Sequence, residues 1–353
     1  MIGKKTLLSL LVASTALSSI VVHAQDQAIT PVTTSNYVEA EVDISFANIF
    51  KTAGANEFRH DRNLIDHLEQ QPAVTMNLDT VYSFGIFYVP KGTVISMPES
   101  KDNRYQSAMI LQSDHYIDQV FYGAGNHEIE SQTEFAAIVI RTQIDASDPA
   151  DINYVNTLQD QIKVSFPEGT EVKEYEPRHW DMNSVDSIRA EYQVKAAQLP
   201  NFNETSGAHG TLDPEKQKMG VSVALGLLPP QDAMYLYRDY GLSNDMCYSA
   251  TYNEPGFNDL GFYSFTMYGS DKYLHHGASN LNDRTIQKNE DGTFTLYFGS
   301  KELCGDVTNR LDTPTNNWYL GMRVYRAKAD VIDGSYKLPI PTAIDNKYTE
   351  TNQ

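Results

Sequence analysis

An asparagine and an aspartate stand at the start of a segment whose other residues favour a β-strand. Residues 76–89 read MNLDTVYSFGIFYV. If this segment is extended, Asn77 and Asp79 share one face with small residues, whereas Tyr82 lies on the other face with aromatic side chains that belong in a core. Aspartate is a poor strand former, so its carboxylate needs a compensating contact. The pattern predicts either a structural partner or a ligand for Asp79.

Two arginines are candidate partners for this carboxylate. In the structural alternative, Asp79 caps a turn or forms an ion pair with Arg104 or Arg141. Arg141 ends the apolar run AAIVI, where a charge is costly unless it is paired or lies at the rim. In the other alternative the carboxylate faces a ligand, and the same arginines would stabilise an anion.

A second group of polar side chains lies in the run QSDHYIDQV at residues 112–120. Asp114, Tyr116 and Asp118 share one parity, and His115 has the opposite parity, so a single flat strand cannot present all four together. We count Asp114 and Tyr116 as candidate ligand-binding residues, because tyrosine offers both a stacking face and a hydroxyl.

The residue types of the first group could perform acid–base chemistry. Asp79 would act as a general base or as a carboxylate that supports a metal, and His60 as a second acid or base. Arg104 or Arg141 would stabilise an oxyanion, and Tyr82 would donate a hydrogen bond. Parity is an objection, because Tyr82 faces away from Asp79 unless the strand bulges.

Common catalytic and metal-binding signatures are missing from the sequence. It contains no G-x-S-x-G, H-E-x-x-H, P-loop or C-x-x-C motif. His60 stands alone, and the adjacent His275 and His276 would point apart on a strand, so no metal site is predicted. No motif identifies a cofactor.

The N-terminus predicts export. Residues 1–24 combine two lysines with a short apolar segment and end in Val-His-Ala, which is typical of a signal peptide cleaved before Gln25. We therefore expect a periplasmic or secreted protein with no membrane span in its mature chain, because no later segment approaches ~20 continuous apolar residues. The net charge of −19 argues against nucleic-acid binding and disfavours contact with anionic lipids.

Short β-rich runs alternate with a few helical segments. Helices are predicted after Asp148-Pro149 and Asp213-Pro214, and over an apolar stripe at residues 185–199. Hairpins are predicted at residues 80–97, around Pro90-Lys91-Gly92, and at Asp291-Gly292. The fold class is therefore β-rich α+β, with two antiparallel β-sandwich-like domains joined by a mainly helical connector.

The predicted domain boundaries follow these changes in pattern. After the signal peptide come an N-terminal extension at 25–50, an N-terminal β-rich domain at 51–177, a helical connector at 178–235 and a C-terminal β-sandwich domain at 236–353. Cys247 and Cys304 both lie in the last of these. An oxidising compartment allows a disulfide between them, and two free buried thiols are the alternative.

Several segments resemble a bacterial two-part family of uncharacterised exported proteins. GANEFRH at 54–60 and NLDTVYS at 77–83 are similar to motifs of its N-terminal half, domain of unknown function twelve-fifty-four. EDGTFTLYFG at 290–299 and NNWYLGMRVYR at 316–326 are similar to its C-terminal half, domain of unknown function twelve-fourteen. The resemblance covers nearly all of residues 50–340.

The resemblance implies a fold but no established reaction. The fold that it implies pairs β-sandwich-like parts with helical insertions. The matched motif positions imply that one constellation contains Asn56, His60, Asn77, Asp79, Tyr82 and Arg104. Two functions follow as hypotheses. The first is an enzyme that performs hydrolysis or acid–base chemistry on a small or carbohydrate-like substrate. The second is a non-catalytic envelope protein that binds a glycan or another ligand.

Overall fold

The computed structural model describes residues 28–64, 71 and 73–344. The predicted signal peptide lies outside these ranges, as do Gln70 and Pro72, where the sequence predicts the end of a partly helical segment. Of the described helices, none is both long and apolar enough to cross a membrane.

The helices begin where the sequence places capping residues. Asp148 accepts a hydrogen bond from the backbone N–H of Ala150, and Asp213 accepts two such bonds from the first turn of its helix, so both Asp-Pro starts are confirmed. The helices are α1 (Tyr37–Ala53), α2 (Pro149–Gln159), α3 (Met182–Ala196), α4 (Pro214–Val223), α5 (Lys301–Cys304) and α6 (Ala329–Ile332). Helix α1 occupies much of the predicted N-terminal extension and packs on α3 and α4.

The strands form two groups that share no sheet in the described part of the chain. The first group is β1 (Arg59–His60), β2 (Thr80–Tyr88), β3 (Val94–Met97), β4 (Gln106–Gln112), β5 (Gln119–Tyr122), β6 (Gly125–Glu128), β7 (Phe135–Gln143) and β8 (Lys163–Ser165). The second is β9 (Ala233–Asp239), β10 (Tyr248–Tyr252), β11 (Phe257–Tyr268), β12 (Asn280–Asn282), β13 (Phe294–Phe298), β14 (Arg310–Leu311), β15 (Tyr319–Ala327) and β16 (Thr342–Ala343). The fold is β-rich α+β, as predicted.

The N-terminal strands form a five-stranded sheet in the order β1-β2-β7-β4-β5 and a three-stranded sheet in the order β6-β3-β8. The predicted hairpin at residues 80–97 is wrong. Strand β2 pairs with β1 and β7, whereas β3 pairs with β6 and β8. The turn at Pro90 exists, with the N–H of Thr93 donating to the carbonyl of Pro90. It carries the chain from one sheet to the other instead of reversing it within one.

The C-terminal strands form a sandwich of two sheets, β14-β13-β10-β16 and β12-β11-β15-β9. Its core is rich in aromatic side chains and includes Trp318, which is fully buried. The predicted turn at Asp291-Gly292 is present, but the residues before it form no strand, so the hairpin expected there is incomplete. Cys247 and Cys304 are joined in a disulfide.

Strand β15 is buried on both faces, unlike the one-sided strand that its alternation predicts. Leu320, Met322 and Val324 belong to the sandwich core. Arg323 and Tyr325, on the other face, are only 2% exposed. The face that looked solvent-exposed in the sequence is covered by the N-terminal five-stranded sheet, because Tyr325 packs in one cluster with side chains of β2, β4 and β7.

The disulfide gives a stability prediction. Its two cysteines are 57 residues apart. Closing a loop of that length lowers the entropy of the unfolded chain and so raises its free energy by up to about 4 kcal/mol. We expect reduction to lower the free energy of unfolding by an amount of this order, measured by urea denaturation with and without reductant. The double variant Cys247→Ala, Cys304→Ala is the control, and it should not respond to reductant. An equal response of both proteins would contradict the prediction.

Candidate functional site

The segment before β2 lies against the C-terminal sheet. Arg323 Nη2 donates to the backbone carbonyl of Thr75 over 2.6 Å and to the Tyr268 hydroxyl over 2.7 Å. The Tyr268 hydroxyl in turn donates to the carbonyl of Met76 over 2.7 Å. Residues 75–79 are therefore fixed to β11 and β15 immediately before the chain enters the N-terminal sheet.

Asp79 belongs to this contact between the two halves. Its side chain is fully buried, and its Oδ1 accepts hydrogen bonds from Asn280 Nδ2 (3.1 Å) and Asn282 Nδ2 (3.4 Å) of β12. The predicted ion pair with Arg104 or Arg141 is wrong. Strand β2 begins only at Thr80, so Asp79 does not follow the strand parity and its carboxylate turns toward the C-terminal sheet. Burial raises the pKa of Asp79, although the charge of Arg323 opposes the shift.

Tyr82 lies beside Arg141 in the neighbouring strand. The two residues are directly paired in the β2–β7 ladder, and the guanidinium carbon of Arg141 lies 5.3 Å from the centre of the Tyr82 ring. Asn77 Nδ2 donates to the Tyr82 hydroxyl over 3.2 Å. Burial alone would raise the pKa of Tyr82, but the charge of Arg141 and the hydrogen bond from Asn77 outweigh it and hold the pKa below its ordinary value.

Arg141 is only 6% exposed, and its buried Nη1 atom has no hydrogen-bond acceptor among the described residues. Tyr82 on one side and Ser107 on the other flank it in the same row of the sheet. Burial acts to lower the pKa of Arg141, but the surrounding tyrosines outweigh it and hold the pKa above its ordinary value. The guanidinium therefore stays charged.

The facing surface belongs to β9, β11 and β15. Tyr235 pairs with Arg323 across the β9–β15 ladder, and Ser264 pairs with Arg323 from β11, so all three share one face. Tyr105 closes one end of the contact, with its ring 5.0 Å from that of Tyr325. Tyr82, Tyr235 and Tyr237 nevertheless keep part of their surface accessible. The side chains of Tyr82, Arg141, Tyr235 and Arg323 interact where the two sheets face each other, and this region is here called the inter-sheet chamber.

Several buried polar atoms without a hydrogen-bond partner lie around this chamber. A buried polar atom that lacks a hydrogen bond is costly, so such atoms mark ordered water or a ligand. In the described part of the chain they include Asp79 Oδ2, Tyr105 Oη, Ser107 Oγ, Arg141 Nη1 and Ser264 Oγ.

Three residues of the expected constellation lie outside the chamber. Asn56 uses its side-chain amide for two backbone hydrogen bonds, to Lys173 and from Tyr88. His60 is paired with Ser83 on the opposite face of β2 from Tyr82, and its Nδ1 lies 2.7 Å from the Ser83 hydroxyl. The structure thus brings together Asn77, Asp79, Tyr82 and Arg141, but not Asn56, His60 or Arg104.

Arg104 lies in the wall of a surface cleft of about 660 Å³ between the two halves. It donates to both carboxylate oxygens of Asp102 and of Asp151 and to the carbonyl of Gln143, which occupies all five of its N–H groups. Arg284 also binds Asp102 from the C-terminal half. Arg104 therefore has no donor left for an oxyanion, in contrast to the role expected from the sequence.

Asp114 and Tyr116 meet a histidine that sequence reasoning did not select. His209 Nε2 lies 3.0 Å from Asp114 Oδ2, and its Nδ1 lies 2.7 Å from Asp118 Oδ2. The Tyr116 ring stacks on the imidazole at 3.9 Å. The chain can gather these groups because β4 ends at Gln112 and residues 113–115 form a turn instead of a flat strand. Within the described residues, no group of three or more His, Cys, Asp or Glu side chains is placed to hold a metal ion.

Sequence reasoning also missed Arg323, Tyr235, Tyr268, Asn280 and Asn282. One signal was available: Arg323 and Tyr235 both occur in β-rich runs whose alternate residues are apolar, MRVYR and AMYLYRD. Alternation identifies the two faces of a strand but does not show whether the polar face meets water or a second sheet.

Burial of Asp79 predicts a pH effect on stability. Its folded pKa lies above the unfolded value of about 3.9, so the wild type loses stability as the pH rises from about 4 through the folded pKa. Asp79→Asn removes this loss. We expect the variant to gain on the wild type between pH 4.5 and pH 8, by about 1.4 kcal/mol per pKa unit, in urea denaturation. The exposed Asp259→Asn is the control, and parallel curves for Asp79→Asn and wild type would contradict the prediction.

The hydrogen-bonded group of His209, Asp114 and Asp118 predicts a pH effect on stability of the same sign, in a higher pH range. Burial lowers the pKa of His209, but its bonds to the two aspartates outweigh this and raise the pKa. The stabilisation is complete below the unfolded pKa of about 6.5 and is lost as the pH rises through the folded value. His209→Gln should therefore remove a loss of up to about 1 kcal/mol above pH 6.5, measured by urea denaturation. Asp114→Asn with Asp118→Asn should have the same effect, and an unchanged pH slope in both variants would refute it.

Comparisons with known proteins agree with this two-part architecture. A family model described as protein of unknown function (DUF1254) matches residues 55–127, and one described as protein of unknown function (DUF1214) matches residues 239–329. None of the curated proteins matches the chain.

Two solved structures are similar to the chain. The VPA0106 protein from Vibrio parahaemolyticus is 17% identical, with a TM-score of 0.63 over 88% of this chain and 100% of that chain, which shows a shared fold. An uncharacterized protein from Burkholderia cenocepacia is 13% identical, with a TM-score of 0.49 over 88% of this chain and 87% of that chain. With the two family models matched in the expected order, the chain carries a DUF1254 domain in its N-terminal half and a DUF1214 domain in its C-terminal half.

Proposed function

We propose that the protein is an acid–base enzyme whose small substrate binds in the inter-sheet chamber, with Tyr82 as the group that transfers a proton. The observation that carries this proposal is the Tyr82 ring beside the guanidinium of Arg141, whose Nη1 atom has no acceptor among the described residues. A tyrosine held next to a fixed positive charge loses its proton more readily, as the lowered pKa of Tyr82 indicates.

The contacts of Tyr82 suit a proton acceptor. Asn77 donates to its hydroxyl oxygen and so stabilises the phenolate form. The phenolate would take a proton from the substrate, and Arg141 would stabilise negative charge that develops nearby. Tyr82 keeps accessible surface, so a substrate in the chamber can reach it.

Other residues named from the sequence receive smaller roles in this proposal. Asp79 positions Asn280 and Asn282 at the wall of the neighbouring cleft and holds the two halves together. Arg104 has all its donors occupied, and we assign it to the wall of the neighbouring cleft. The His60–Ser83 pair is a poor candidate for a hydrolytic nucleophile, because Ser83 is only 1% exposed.

A non-catalytic binding protein is the second candidate. The unpaired polar atoms around the chamber favour it as much as they favour an enzyme, because each of them could bind a glycan or another polar ligand. We extend the proposal to the compartment: the signal-like N-terminus and the disulfide support action in the periplasm or outside the cell.

The lowered pKa of Tyr82 can be measured directly. Absorbance at 295 nm reports tyrosine ionisation, and subtracting the curve of Tyr82→Phe from that of the wild type isolates this phenol. We expect it to titrate below the ordinary value of about 10 and to shift upward in Arg141→Met. Subtraction of Tyr116→Phe is the control. A Tyr82 transition at or above pH 10 would rule out the proposed role.

Catalysis can be separated from binding by isotope exchange. An acid–base enzyme exchanges a substrate proton with solvent, so a panel of small metabolites can be screened in D2O by NMR. We expect Tyr82→Phe to reduce exchange about 10²- to 10⁴-fold while the ligand still binds. Binding by both proteins with exchange by neither would favour the non-catalytic candidate.

A further inference from the structure

We propose that the ligand of the inter-sheet chamber is a small organic carboxylate, bound through its carboxylate group to Arg141 and through its body to a row of stacked tyrosines. This inference rests on the proposed function for the location of the site, but charge and shape carry it independently of any catalytic step.

Arg141 is a buried cation that lacks an anion. One other buried arginine shows how an anion can satisfy such a charge: Arg104, 2% exposed, binds two carboxylates. Arg141 is also nearly buried, yet no carboxylate of the described residues forms an ion pair with it and its Nη1 atom has no acceptor among them. An uncompensated buried charge is costly, and an anionic ligand would remove that cost.

A carboxylate fits this position better than a phosphate. Arg323 is the second cation of the chamber, but its Nη atoms already donate to Thr75, Thr266 and Tyr268. The Nη1 atom of Arg141 therefore remains as the open donor, and the planar fork of a guanidinium matches the two oxygens of a single carboxylate. The fully buried Asp79, in the segment that leads into β2, would repel a dianion more strongly than a monoanion.

A row of tyrosines leads away from Arg141 along the edge of the C-terminal sheet. The rings of Tyr235 and Tyr237 are 6.5 Å apart and tilted by 11°, and those of Tyr237 and Tyr319 are 5.5 Å apart and tilted by 14°. Gly321 lets Tyr237 lie flat, because a Cβ there would come within 2.7 Å of the Tyr237 ring. All three rings keep accessible surface. The accessible surface of this row would contact an apolar or aromatic body.

Calorimetric titration of the whole protein with four probes tests the ligand class. Benzoate carries both the charge and the ring, benzamide the ring without the charge, acetate the charge without the ring, and inorganic phosphate a different anion. We expect benzoate to bind at least tenfold more tightly than each of the other three. Equal binding of benzamide would overturn the role of the charge, and tighter binding of phosphate would overturn the choice of a carboxylate.

Variants then locate the site. Arg141→Met should weaken benzoate binding at least tenfold, and Arg141→Lys should lie between it and the wild type. Arg284→Gln, in the wall of the neighbouring cleft, is the matched control and should bind benzoate as the wild type does. If Arg141→Met does not fold, Arg141→Lys takes its place. Unchanged benzoate affinity in Arg141→Lys, together with weaker binding by Arg284→Gln, would place the ligand in the cleft and refute the inference.

Tyr82→Phe distinguishes failure of this inference from failure of the proposed function. If benzoate does not bind while proton exchange still depends on Tyr82, the proposal of a carboxylate ligand is overturned and the proposal of an acid–base enzyme is retained. If benzoate binds through Arg141 while Tyr82 titrates at its ordinary pKa and no substrate proton exchanges, the proposal of a carboxylate ligand is supported and the proposal of an acid–base enzyme is overturned.

Discussion

The contact of Arg323 with the chain entering β2 is the interaction on which the rest of the structure depends. One guanidinium on the C-terminal sheet binds the carbonyl of Thr75 and the Tyr268 hydroxyl, which in turn binds Met76. Asp79 follows within four residues of Thr75 and is held by β12. The chain is therefore fixed to the other half of the molecule just before β2 begins. This sets the position of Tyr82, the third residue of β2, in the chamber.

Charged side chains are buried where the two halves of the molecule meet. Two buried arginines and one buried aspartate are costly to remove from water, and neutral amides and hydroxyls compensate only part of that cost. Arg323 is satisfied by such groups, whereas Arg141 is not. A fold selected for stability alone would more simply fill this interface with apolar side chains, so the retained polarity is an argument for a binding role.

Local sequence signals predicted the elements more successfully than their partners. The Asp-Pro helix starts at Asp148 and Asp213 follow from capping chemistry within a few residues, and they were confirmed. Strand pairing depends on distant residues, so the hairpin expected after Pro90 was wrong even though its turn is present.

The site was predictable to the extent that it lies in one segment. Asn77, Asp79 and Tyr82 stood out because polar residues are unusual at the start of such a strand, and Arg141 because a charge ends an apolar run. Arg323 and Tyr235 did not, because an alternating strand looks the same whether its polar face meets water or another sheet. His209 comes from the helical connector, far in sequence from the aspartates it joins.

The chamber has one wall from each domain, and this has a consequence for inheritance. Arg141 and Tyr82 come from the N-terminal sheet, and Tyr235 and Arg323 from the C-terminal sheet. A gene that kept only one of the two domains would encode one wall of the chamber with its arginine open to water. Selection on the proposed ligand would act on the pair as one unit, and fusion of the two domains in a single polypeptide keeps the two walls together in every molecule that is made.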